Sequence, residues 1–153
     1  MNPFASYPKW GEVDPGPVRG MTICRTGYAA RLQQLTGQMS CAYCGQNLVD
    51  TFEHWLLVSV DHVIPQNIAT KDASWGKWVH NLYNTVLCCS ACNGFLNRFR
   101  LPLNAQAPAT FDEFCRIRDE VFETRRKRLE KRRAEEKAAY DSKPWEPRQK
   151  REG

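Results

Sequence analysis

The sequence lacks any long apolar stretch, because no run of about 18 apolar residues, the length of a membrane-spanning helix, occurs in it. Its N-terminus also lacks the apolar segment of a secretory signal, since prolines, a tryptophan and charged residues stand there instead. No internal repeat is present. These absences in the sequence argue against a membrane protein and against a secreted protein. We therefore expect a soluble, cytoplasmic protein with no membrane partner.

Cysteine, in contrast, is plentiful, and its arrangement favours a metal site. The chain has seven cysteines, an odd number, and no visible export signal, which argues against a disulfide framework. Four of them form two C-x-x-C pairs, Cys41/Cys44 and Cys89/Cys92. Paired thiolates at this spacing are typical tetrahedral zinc ligands, so we predict a structural zinc site. We expect buried thiols at the remaining three positions, Cys24, Cys88 and Cys115.

Positive charge is concentrated near the C-terminus. The chain carries a formal net charge of +5. Residues 1–121 contain ten basic and ten acidic residues, whereas residues 122–153 contain twelve basic and seven acidic residues. A neutral body with a basic tail suits a polyanionic partner, although a solvated helix is the alternative interpretation of the same charges.

The predicted order of elements is strand, loop, strand, helix, with one helix before them and a longer one after. Residues 25–37 predict the first helix, which ends at a glycine. Residues 55–65 and 84–88 are rich in β-forming side chains and predict two strands. A short helix is expected over residues 90–99, and a capping box at residues 110–113 predicts the start of the long helix.

The chain divides into three predicted parts. Residues 1–22 are rich in proline, which favours an extended N-terminal arm over a helix. Residues 23–122 make up the main domain and include the first half of the long helix, whose apolar residues recur at helical spacing. Residues 123–153 predict a basic helical extension followed by a disordered tail.

Four segments in a fixed order carry the functional signal. They are C-A-Y-C at residues 41–44, D-H-V-I-P at 61–65, N-T-V-L at 84–87 and C-S-A-C-N at 89–93. In this order the sequence resembles the HNH endonucleases, also called ββα-metal or His-Me finger nucleases. The resemblance covers about a third of the chain. It implies an α+β fold with a small ββα-metal core, a structural four-cysteine zinc site and, in this chain, a long C-terminal helix after the core.

The resemblance also implies a role for each polar residue between and after the cysteine pairs. His62 is expected to be the general base that takes a proton from water. Asp61 and Asn93 are expected to hold one catalytic Mg²⁺ or Mn²⁺ through oxygen ligands, with Asn97 as a rival for the second position. Asn84 is expected to tie the loop between the strands and to orient the base.

Other residues in and around the motif have two interpretations. The family's Gly-Gly after the proline is missing, and the loop there contains Trp75 and Trp78. These tryptophans form either a hydrophobic cluster or a base-stacking surface. His54 and His80 lie outside the matched positions and are expected to be packed or surface histidines. Phosphate contacts are predicted at four arginines, Arg98, Arg100, Arg125 and Arg126.

The resulting prediction is a metal-dependent HNH endonuclease that hydrolyses DNA phosphodiester bonds, in a bacterial or phage-infected cell. We expect a monomer to nick one strand, with a homodimer or a larger nucleic-acid-processing complex as the assembly that cuts both. RNA stays open as an alternative substrate. The alternative functions are a catalytically silent, zinc-stabilised nucleic-acid-binding module and an accessory subunit.

Overall fold

The computed structural model describes residues 2–13, 24–97 and 106–147 of the chain. Its helices and strands are α1 (Tyr28–Thr36), α2 (Phe52–Leu56), β1 (Val58–His62), α3 (Ile68–Lys71), α4 (Gly76–Val79), β2 (Thr85–Cys89), α5 (Ser90–Leu96) and α6 (Phe111–Asp141). Short 3-10 helices lie at Pro3–Ser6, Ala73–Trp75 and Leu82–Asn84. The chain is therefore a mixture of helices and a small two-stranded sheet with a long C-terminal helix, as predicted.

Strands β1 and β2 form an antiparallel hairpin at the centre of the molecule. The register pairs Val58 with Cys89 at one end and His62 with Thr85 at the other. All five residues of β2 are buried, which fits its apolar composition. Helix α5 follows β2 directly and packs against both strands and against α6. The strand–strand–helix order therefore places the second cysteine pair and the end of β1 on one small unit.

The first strand starts three residues later than the sequence predicts. Trp55 and Leu56 belong to helix α2, because the hydroxyl of Thr51 accepts a hydrogen bond from the backbone N–H of His54 and caps that helix. Leu57 follows as the C-cap, where its backbone N–H donates to the carbonyl oxygen of His54. A local cap thus overrides the β propensity of these side chains, and the prediction was wrong at this end.

Helix α6 begins where its capping sequence predicts. The Thr110 hydroxyl accepts from the N–H of Glu113 at 3.2 Å, and the Glu113 carboxylate accepts from the N–H of Ala109 at 2.9 Å. The predicted domain boundary after Phe122 lies within this helix, which continues without a break to Asp141. Two residues beyond that boundary, Arg125 and Leu129, are also buried.

The described part of the N-terminal arm, which was predicted to be extended, begins with the 3-10 helix Pro3–Ser6 and is packed against the core. Phe4 is buried against the ring of Phe122, and the Arg118 guanidinium lies 3.6 Å from the Phe4 ring centroid. The hydroxyl of Tyr7 donates to the carbonyl oxygen of Thr85. Residues 14–22 of the predicted arm lie outside the described residues.

The long connection between the strands folds around two tryptophans. Trp75 and Trp78 are both buried, and the Trp78 ring stacks on Phe114 of α6 with 5.2 Å between centroids. The Trp78 indole N–H donates to the carbonyl oxygen of Pro108 at 2.9 Å. The hydrophobic-cluster interpretation is confirmed, because buried rings cannot stack on bases. Within the described ranges, no helix is long and apolar enough to cross a membrane.

Candidate functional site

The four paired cysteines come together at one end of the hairpin. Cys41 and Cys44 lie in a turn that Gly45 completes with a φ of 76°, a left-handed conformation that glycine adopts without strain. Cys89 ends β2, and Cys92 lies in the first turn of α5. The four Sγ atoms all lie within 4.8 Å of one another. Two knuckles far apart in sequence therefore present their thiols to one point.

The distances between these thiols suit a tetrahedral metal ion. Cys44 Sγ and Cys89 Sγ are 3.9 Å apart. Zinc–sulfur bonds of about 2.3 Å imply sulfur–sulfur distances of roughly 3.8 Å in a tetrahedron. Arg133 of α6 places Nη1 3.8 Å from Cys92 Sγ. The positive charge of this guanidinium offsets the negative charge of thiolates in the cluster. The four-cysteine cluster is therefore positioned to hold a structural metal such as zinc, as predicted.

The three remaining cysteines are in different environments. Cys88 is buried and Cys115 is partly buried, whereas Cys24 is exposed in the turn before α1. The expectation of a buried thiol was therefore wrong for Cys24.

His62 lies at the end of β1 with its ring partly accessible. Gln66 Nε2 is 3.0 Å from His62 Nε2 and 3.3 Å from His80 Nδ1, so one side-chain amide can donate to both imidazoles. Burial lowers the pKa of His62 to about 4, and the nearby His80 and Arg125 act in the same direction. His62 is therefore a neutral imidazole at physiological pH.

The backbone around His62 is fixed from two sides. Arg125 Nη1 donates to the carbonyl oxygens of His62 at 3.1 Å and Val63 at 2.8 Å. Asn84 is fully buried, and its amide group bonds both the N–H and the carbonyl oxygen of Ile64 at 2.9 Å. Asn84 also donates to the carbonyl oxygen of Val79 at 3.0 Å. It thereby joins the two ends of the connection between the strands.

Asp61 has a different environment from the one its expected role requires. Its side chain is only 5% exposed and pairs with the guanidinium of Arg125, with 2.9 Å between Oδ1 and Nη2. The hydroxyl of Tyr43, from the first cysteine knuckle, donates to Oδ2 at 2.6 Å. Burial raises the pKa of Asp61, while the charge of Arg125 and the hydrogen bond from Tyr43 oppose that shift.

The residues expected to hold a magnesium ion do not fit one in this arrangement. Magnesium retains several water ligands, so it needs a carboxylate that faces solvent. Both oxygens of Asp61 are engaged with protein groups, and the carboxylate is buried. Asn93 lies on α5, where its Nδ2 donates to the hydroxyl of Ser59 at 2.9 Å. Its rival Asn97 is the C-cap of that helix.

The predicted phosphate contacts have different outcomes. Arg125 is buried and its terminal nitrogens bond Asp61 and two carbonyl groups, so the prediction that it contacts nucleic acid was wrong. Arg126 is partly exposed but pairs with Glu123 and Glu130 on its own helix. Arg98 and Arg100 lie outside the described residues.

Three contributors to the site were missed from the sequence. Gln66 directly follows the proline of the D-H-V-I-P segment, and that position was the available signal for it. His80 was expected to be a packed or surface residue, and only the fold brings it near His62. Tyr43 lies inside the first C-x-x-C pair, so its position pointed to a role beside the metal.

Comparison of the chain with models of protein families, with curated proteins and with solved structures found no match.

Proposed function

We propose that the chain is a nuclease in which His62 takes a proton from the water that attacks a phosphodiester bond. The observation that carries this proposal is a neutral imidazole at a partly accessible strand end, with its backbone anchored on both sides. The order of motifs shared with HNH endonucleases supports the same function. A positioned general base contributes roughly a hundredfold to ten-thousandfold to a hydrolytic rate.

The chemistry at His62 follows from its hydrogen bonds. The amide of Gln66 donates to Nε2, so the lone pair of that nitrogen already points at a donor group. A water molecule that replaces this amide hydrogen would meet the same lone pair and could transfer its proton to it. As the water oxygen bonds to phosphorus, the phosphorus–oxygen bond to one sugar breaks, and the departing sugar oxygen takes up a proton from solvent. The low pKa of His62 keeps this lone pair available in nearly all molecules above about pH 5.

The zinc implied by the four-cysteine cluster has a structural part in this proposal. A bound metal supplies folding free energy directly, which a small hairpin-and-helix unit needs because it buries little surface of its own. The cluster joins the first knuckle to the end of β2 and the start of α5. The divalent Mg²⁺ or Mn²⁺ of the HNH resemblance has no step here, because Asp61 faces Arg125 and Tyr43.

We propose DNA as the substrate and a nick in one strand as the product of a monomer. The test is cleavage of supercoiled plasmid by purified, zinc-loaded protein with Mg²⁺, Mn²⁺ or EDTA, beside the variants His62→Ala and His54→Ala. His54 is a matched control, because it is a partly exposed histidine paired with Asp50.

Nicking by the native protein and by His54→Ala, with loss of at least a hundredfold in His62→Ala, is the expected result. Equal nicking by all three proteins would refute the role of His62. The same assay on a structured RNA distinguishes the two nucleic acids, since cleavage of RNA alone would move the substrate to RNA.

A second candidate is a zinc-stabilised nucleic-acid-binding module without cleavage. The buried ion pair of Asp61 with Arg125 favours it, because a nuclease of the HNH type uses that carboxylate for its metal ion. Fluorescence anisotropy with a labelled duplex, read at two salt concentrations, tests it. Salt-sensitive binding by folded protein that nicks under no metal condition would support this module in place of the nuclease.

A further inference from the structure

A chain of hydrogen bonds runs from the first cysteine knuckle to the backbone of His62. Tyr43 of the knuckle donates to Asp61 at 2.6 Å, and Arg125 of α6 pairs with the other carboxylate oxygen at 2.9 Å. The same guanidinium donates to the carbonyl oxygens of His62 and Val63. Three elements separated in sequence thus meet at one carboxylate, and we call Tyr43, Asp61 and Arg125 the Asp61 network.

The Asp61 network leaves no room for a metal ion at the carboxylate. Asp61 and Arg125 are each only 4% exposed, so both charges depend on each other for compensation. The guanidinium satisfies several acceptors at once because its donors form a rigid fork, which a hydrated divalent cation cannot reproduce in a dry site. A positive charge is therefore already present where the HNH resemblance expects the metal.

We propose that Asp61 and Arg125 form a buried support that positions His62, and that Tyr43 connects this support to the first zinc knuckle. Arg125 is then a positioning residue for His62, and Asp61 is its counter-ion and not a ligand of a catalytic metal. The effect expected on kcat rests on the proposed nuclease function, whereas the effect expected on the position of the His62 ring does not.

The proposal predicts which variants disturb His62. Replacing Arg125 removes two bonds to the backbone at the end of β1, so the imidazole should move while its own chemistry is unchanged. Tyr43→Phe removes a single hydroxyl and keeps the ring, which stacks on Phe122 at 5.0 Å, so this variant should fold even if Arg125→Met does not. Arg126→Met is the control, because the neighbouring arginine pairs only with Glu123 and Glu130 among the described residues.

The first experiment follows the imidazole signals by NMR on the zinc-loaded protein. The chain contains three histidines, so the spectrum of ring resonances is simple to assign. In Tyr43→Phe and Arg125→Met the His62 ring signals should shift while those of His54 stay in place, and Arg126→Met should match the native protein. His62 signals that coincide with the native ones in both network variants would overturn the proposal.

The second experiment asks whether a divalent ion uses Asp61. Mn²⁺ broadens the NMR signals of nuclei near its binding site, so it is titrated into native protein and into Asp61→Asn. We expect no selective broadening of the backbone amides of Asp61 and Asn93. Selective broadening of these two amides that disappears in Asp61→Asn would identify Asp61 as a metal ligand and would overturn the proposal.

The kinetic arm separates this inference from the proposed function. If the native protein nicks plasmid, Arg125→Met and Tyr43→Phe should lower kcat by about tenfold to a hundredfold and leave KM nearly unchanged, since positioning and not binding is lost. A change confined to KM would contradict positioning. If the native protein does not nick, the proposed function fails, and the two NMR experiments still decide the role of the Asp61 network.

Discussion

Two sites that were predicted to bind a metal, the four-cysteine cluster and Asp61, differ in what surrounds their ligand atoms. The four thiols converge within 4.8 Å, and Arg133 places a guanidinium nitrogen 3.8 Å from one sulfur. Each carboxylate oxygen of Asp61 instead already has a partner in the protein, a guanidinium on one and a hydroxyl on the other. A thiol cluster of this kind needs a metal to be stable, whereas the carboxylate already has its counter-charge inside the protein.

Removal of the metal from the four-cysteine cluster should have the largest effect on the stability of the protein. Cys89→Ser, or chelation of zinc from the native protein, should abolish cooperative folding, because structural zinc contributes on the order of 10 kcal/mol in small domains. Circular dichroism during thermal unfolding measures the loss. Cys115→Ser is the matched control, since this thiol is outside the cluster. A cysteine variant with the native melting temperature would show that the cluster is not a structural metal site.

Breaking the buried ion pair should have the next largest effect. Arg125→Met leaves Asp61 charged and unpaired in the core, which should cost about 3–5 kcal/mol of unfolding free energy. The double variant Asp61→Asn with Arg125→Met should recover part of that loss, because no uncompensated charge remains. Urea unfolding of the two single variants and the double variant measures the coupling between them.

Arg126→Met provides the comparison for that cycle. Its pairs with Glu123 and Glu130 lie at the helix surface, so its loss should cost no more than about 1 kcal/mol. Equal losses of unfolding free energy in Arg125→Met and Arg126→Met would contradict the stabilising role of the Asp61 network.

The pH dependence of stability should show a smaller effect than the loss of the ion pair. The pKa of His62 is about 4 in the folded protein and near its ordinary 6.5 in the unfolded chain, so the unfolded state takes up the proton first. The unfolding free energy should therefore fall as pH drops from about 6.5 to about 4, by up to about 3 kcal/mol. Chemical unfolding across this pH range should show a shallower dependence in His62→Gln. Identical pH profiles would contradict the low pKa.

The difference between the two sites also explains why the sequence predicts the four-cysteine site and not the environment of Asp61. Each C-x-x-C pair brings two thiols together within one turn, so spacing alone predicts the four-cysteine site. The partner of Asp61 lies 64 residues away, in a run of basic residues whose spacing does not distinguish Arg125 from Arg126. Asp61 was therefore predicted to be an open ligand, although its partner makes it a buried ion pair.

The same reasoning applies to the elements of the fold. The hairpin, α5 and the start of α6 were predictable because their apolar periods and caps are local signals. The second half of α6 was predicted to be solvated, since arginines such as Arg125 gave no apolar pattern there. Most of that half is exposed, as predicted, and its buried residues are Arg125 and Leu129. Burial of Arg125 depends on acceptors in β1, and such long-range contacts are absent from a local sequence pattern.

The most direct test of the proposed function is the initial rate of plasmid nicking by zinc-loaded native protein and by His62→Ala at equal zinc content. We predict that the native protein nicks and that the variant, though folded, is slower by at least about a hundredfold. A folded variant that nicks at the native rate, or a native protein that nicks under no condition, would contradict it.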